Sequence, residues 1–67
     1  ERSRTELQEV IAQYRFRYIR AERSGDYRNA IRALQLILAE VPDRKDPRNI
    51  DAQRKIKYLR QKLSEGY

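Results

Sequence analysis

The segment Ser24-Gly25-Asp26-Tyr27 separates two stretches that both carry helical periodicity, and that separation limits what the chain can fold into. Glycine has no Cβ to clash at positive φ, so it closes helix ends in the left-handed conformation. Asp26, directly after it, is suited to accept the first free N–H groups of a new helix and to set negative charge at that helix's positive end. One long helix is thereby replaced by a helical hairpin.

Before the break, Leu7, Ile11, Tyr14, Tyr18 and Ala21 recur at spacings of four, three, four and three, with Val10 beside them. That spacing lines one face of a helix. Ser3 with Glu6 fits a capping box, and Thr5 with Gln8 is a second candidate start, so the first helix is predicted over 3–23. After the break, Tyr27, Ala30, Ile31, Ala33, Leu34, Ile37, Leu38 and Val41 form an arc wide enough to meet neighbours on two sides. The second helix is predicted over 27–40 and ends before Pro42, because the residue preceding a proline is driven away from helical angles.

Residues 43–46 form a charged loop, and Asp46-Pro47 supplies a cap followed by a first-turn proline. The third helix is predicted over 47–64, with Glu65 to Tyr67 as a frayed or truncated end. Its apolar face, Ala52, Ile56, Leu59 and Leu63, is narrow, and Arg48, Arg54, Lys55, Lys57, Arg60 and Lys62 crowd the remainder. Such a helix covers a core without being enclosed by one. The expected fold is all-α, a single domain made of an antiparallel helix hairpin and an amphipathic third helix. Its expected core includes Tyr14, Tyr18, Tyr27, Ala30, Ile31, Leu34, Leu38, Ile56 and Leu59.

Function is bounded first by what is missing. The chain has no cysteine and no histidine, which removes thiolate chemistry, disulfides, the commonest metal ligand and the commonest proton-transfer group. At 67 residues it is too short to enclose a catalytic pocket readily, so the expectation is a non-enzyme without metal, cofactor or small-molecule substrate. The longest apolar run, Leu36 to Ala39, is four residues, far below the roughly 18 of a membrane span. A chain of this length sits near the limit for a lone hydrophobic core, which favours a setting in a larger protein or assembly. Starting at Glu1 without a methionine or a signal-peptide pattern, it reads as an excised domain or processed product.

The hairpin residues resemble a family. The run from Tyr14 to Asp43 is similar to one tetratricopeptide repeat, a helix-turn-helix unit of about 34 residues. Gly25, Asp26, Tyr27 and Ala30 match its turn and second-helix opening, Leu34 stands at an aromatic position, and Pro42 at the closing proline. The match covers about residues 11 to 44. Tyr18 falls where the family has a small residue and Ala21 where it has a large aromatic, so the two sizes are exchanged, and Ile37 replaces a late small alanine. The loop into the third helix is longer than the family's, and that helix resembles the solvating end helix that closes repeat arrays. The resemblance implies a scaffold that binds a helix or peptide of another protein and carries out no chemistry.

A second stripe on the first helix, Ala12, Phe16 and Ile19, lies roughly opposite the main one, and Leu36 stands out of register among Arg28, Arg32 and Glu40. With the main stripe packed inward, these four residues have no internal partner and are the candidate partner-binding face, for another copy or another protein. Isolated exposed apolar residues are also common on surfaces. Tyr58 lies off the apolar face of the third helix, as a rim or surface residue.

The alternative function starts from the formal charge of +6, sixteen Lys/Arg against ten Asp/Glu, which biases the partner toward something acidic. Arg54, Lys55, Lys57, Arg60 and Lys62 could contact a phosphate backbone of nucleic acid without sequence preference. The long Pro42 to Pro47 connection does not fit a helix-turn-helix reader, and the third helix lacks the bulky apolar face of membrane-surface helices. A protein partner is therefore favoured over nucleic acid.

Overall fold

A computed structural model describes residues 3–66. Three helices follow in order, α1 (Arg4–Arg23), α2 (Tyr27–Glu40) and α3 (Pro47–Gly66), with no strand among the described residues. Each begins on the side chain expected to cap it. The Ser3 hydroxyl accepts the Glu6 N–H at 3.2 Å, so α1 starts from Ser3 rather than Thr5. Asp26 accepts the Asn29 N–H at 3.3 Å. Asp46 accepts the Arg48 N–H at 2.9 Å and pairs with its guanidinium at 2.9 Å, and these bonds pull its carboxyl down to about 2.

The turn between α1 and α2 closes as the glycine requires. Gly25 has φ +76°, its N–H donates to the Glu22 carbonyl at 3.0 Å, and the Asp26 N–H donates to the Ala21 carbonyl at 2.8 Å. These two bonds satisfy carbonyls that the end of α1 would otherwise leave open. A Cβ at Gly25 would meet nothing within 4 Å, so the demand for glycine lies in the backbone and not in space. Alanine there carries roughly 1–2 kcal/mol of left-handed strain.

Packing follows the width of the apolar faces. α2, with the widest arc, touches both other helices, whereas no Cα of α1 comes within 8 Å of one of α3 among the described residues. The overall extents, 40 × 23 × 14 Å, fit this spread arrangement, in which α1 and α3 flank α2. The core comprises Ile11 and Tyr18 of α1, Ala30, Ile31, Ala33, Leu34 and Ile37 of α2, Val41, and Ala52, Ile56 and Leu59 of α3.

The expected core and the expected end of α3 both differ from what the structure shows. Tyr14, Tyr27 and Leu38 are half-buried and pack on the rim of the core, because they sit at the edges of their helix faces. α3 runs two residues beyond the expected 64, to Gly66: no glycine or proline stops it earlier, and Gln61 bonds Glu65 at 3.2 Å one turn on. Glu65 and Gly66 are accordingly helical rather than frayed, while Tyr67 lies outside the described residues.

Candidate functional site

Among the described residues α1 packs closely on α2 alone and is reached from α3 by side chains such as Lys55, so part of its circumference stays open, and the second stripe occupies that part. Phe16 is 62% exposed and Ile19 41%, and Ala12 is exposed between them and the N-terminal half of the helix. The three share one open depression of about 450 Å³ with Gln8, Ile11, Arg15 and, from the start of α3, Arg48. Leu36, 36% exposed, lies in a different depression between α1 and α2, with Arg17, Arg20, Asn29, Arg32 and Ala33. The structure therefore brings Ala12, Phe16 and Ile19 together and sets Leu36 apart. Ile50 and Tyr58 are also exposed, and neither lines these depressions.

The arginines around the face were not part of the expected site. The Arg20 guanidinium lies 5.8 Å from the Phe16 ring centre, and that of Arg17 lies 6.0 Å from the ring centre of Tyr14. Both are within reach of the ring quadrupole. Their place beside Phe16 was readable from i, i+1 and i+4 spacing on α1; their approach to Leu36 required the hairpin geometry.

The five cations of the phosphate-contact alternative do not form one face. Lys57 and Arg60 line the groove between α2 and α3 with Gln35, Leu38, Gln53 and Ile56. Lys55 turns toward α1, pairing with Asp51 at 2.9 Å with its ammonium 5.2 Å from the Tyr18 ring centre. Lys62 lies over Tyr58 at 5.4 Å, and Arg54 is exposed. No helix among the described residues is long and apolar enough to cross a membrane.

Tyr18 links the core to this surface. It is buried, and its hydroxyl donates to the Glu22 carboxylate at 3.1 Å. Burial, and then the Glu22 charge, pushes its phenol up to about 12 from an ordinary 10.0. The unfolded chain thus releases this proton at lower pH than the fold does, so the contribution to stability is intact below pH 10 and is lost as pH rises toward 12. Denaturant midpoints measured across that window should fall more steeply for the wild type than for Tyr18→Phe. Parallel slopes would show that Tyr18 does not resist ionisation.

Comparison of the chain with protein-family models, with curated proteins and with solved structures returned no match in any of the three.

Proposed function

We propose that the chain is a tetratricopeptide-like hairpin unit, closed by a third helix, that serves as a protein-protein interaction or assembly module. On this reading it docks an apolar helical surface, of a second copy or of another protein, on the outer side of α1. The observation that carries the reading is the pairing of exposed Phe16 and part-exposed Ile19 over one largely apolar depression. Large apolar side chains gathered on a small domain mark contact surfaces more often than they mark idle ones. The hairpin supports it as well: Gly25 in the left-handed conformation, Asp26 as cap and a fully buried Ala30 occupy the positions that carry the family resemblance. The exchange of Tyr18 and Ala21 makes the unit repeat-like rather than a standard repeat.

Light scattering after gel filtration, over a wide concentration range, tests the self-docking form. A mass at a multiple of 8.1 kDa that falls to the monomer in Phe16→Asp supports it. For a monomeric protein, the same face is probed with an uncharged amphipathic helical peptide, and Phe16→Asp should abolish its uptake. Because Phe16 touches solvent more than core, the variant keeps its helix content by circular dichroism. Assembly or uptake that is equal in the folded variant overturns the reading.

A further inference from the structure

We propose that the docking face is built for an acidic amphipathic helix, one whose apolar residues meet Phe16 and Leu36 and whose carboxylates meet Arg17, Arg20 and Arg32. The inference rests on the reading of α1 as a docking face and adds the chemistry of the occupant. A third depression, lined by Ala12, Gln13, Phe16, Arg17 and Arg20, shares Phe16 with the Ile19 depression and both arginines with the Leu36 depression. The three form one track across the outer side of the hairpin. From Ala12 to Arg20 the track spans about 12 Å of α1, the length of a little over two helical turns.

Charge identifies the occupant. No aspartate or glutamate lines any of the three depressions, whereas five arginines do, Arg15, Arg17, Arg20, Arg32 and Arg48. Arg48 is paired with Asp46; among the described residues, none of the other four has a carboxylate within 4.0 Å. Their kind matters too, since the first lysine of the chain is Lys45 and every cation of α1 and α2 is arginine. The planar guanidinium donates two parallel N–H bonds to a carboxylate in a bidentate fork and is attracted to aromatic faces, as Arg20 is to Phe16 at 5.8 Å.

The same features argue against other occupants. A second copy brings an identical face and a charge of +6, so a symmetric contact sets arginine against arginine. A phosphate backbone satisfies the arginines but has no use for Ile19 and Leu36, and a single exposed phenylalanine is a poor platform for successive bases. An acidic helix with apolar residues at i, i+4 and i+7 satisfies both halves of the track.

Fluorescence anisotropy with the 67-residue chain and designed peptides tests this. The probe is a labelled helical peptide of about 16 residues with a leucine stripe and glutamates on both flanks. One control replaces every glutamate by lysine, another replaces every leucine by alanine, and a third probe is a single-stranded oligothymidine. The expected result is binding of the Glu/Leu peptide at least about tenfold tighter than of either peptide control, weakened by added salt. The double variant Arg17→Glu, Arg20→Glu, its fold checked by circular dichroism, should lose about tenfold for the Glu/Leu peptide and gain for the Lys/Leu one. Equal binding of the Glu/Leu and Lys/Leu peptides overturns the inference and leaves the docking reading intact. Equal binding of the leucine-free peptide, or tighter binding of the oligothymidine, overturns it in favour of an anion surface. No binding by any probe, in a protein that does not self-associate, overturns both.

Discussion

Leu34→Ala lowers the stability of the domain by about 2–5 kcal/mol. Leu34 is 1% exposed at the centre of α2, the one helix that packs on both others, so the cavity left by its truncation opens where α1 and α3 are both held. Little can collapse into it, since Ala30 and Ala33 beside it are small and already buried. A domain of this length is held together by about 3–10 kcal/mol in all, so the variant is expected to melt some 10–30 °C lower or to be unfolded at ambient temperature. Leu36→Ala is the control: two positions along the same helix but partly open to solvent, it should cost no more than about 1 kcal/mol. Thermal melts followed at the helical circular dichroism band compare the two. A Leu34→Ala curve that overlays the wild type would mean that α2 is not the centre of the fold.

Leu34 belongs to the part of the fold that was legible in the sequence. Local rules of capping, periodicity and chain breaking act within a few residues, and they placed all three helices, with Gly25 and Asp26 in the roles expected of them. Periodicity names the face a residue shares but not its distance from the helix crossing. Periodicity therefore predicts Tyr14, Tyr27 and Leu38 as core although they lie on the rim, while Ile11, Ala33, Ile37 and Val41, on those same faces, are buried with the rest of the core. The exposed side of α1 was legible for the same reason as the core, since Phe16 and Ile19 point away from a stripe that had to turn inward. What could not be read was everything that crosses between elements: the meeting of Arg17 and Arg20 with Leu36, the turn of Lys55 toward Tyr18, and the scattering of the α3 cations over separate surfaces. A charge run on a sequence has no sides until the helix that carries it is docked.

Replacement of Asn49, a buried polar residue that local sequence rules do not reveal, is the second large effect expected. A polar residue in the first turn of a basic helix reads as solvent-facing, yet Asn49 is 3% exposed, the one buried polar side chain identified among the described residues. Its Nδ2 donates to the Val41 carbonyl, and its Oδ1 accepts from Gln53. Val41 ends α2, Pro42 after it has no N–H to offer, and the loop spends its own donors locally, Lys45 N–H on the Asp43 carboxylate and Asp46 N–H on the Asp43 carbonyl. The Asn49 amide thus satisfies a carbonyl at the end of α2 and ties the first turn of α3 to it across a loop that is longer than a tight turn. Asn49→Ala should cost about 1–3 kcal/mol by leaving that acceptor unpaired in a buried place. Asn49→Asp separates the bond from mere packing, because the carboxylate is nearly the same shape but cannot donate, and it sets negative charge against the carbonyl. At neutral pH the aspartate variant should be less stable than the alanine one. Its burial raises the carboxyl pKa, so protonation on acidification restores a donor and the deficit relative to wild type shrinks as pH falls. Chemical denaturation at neutral and acidic pH decides the matter: a deficit that is equal for both variants and constant with pH would show that Asn49 fills space and does not tether α3.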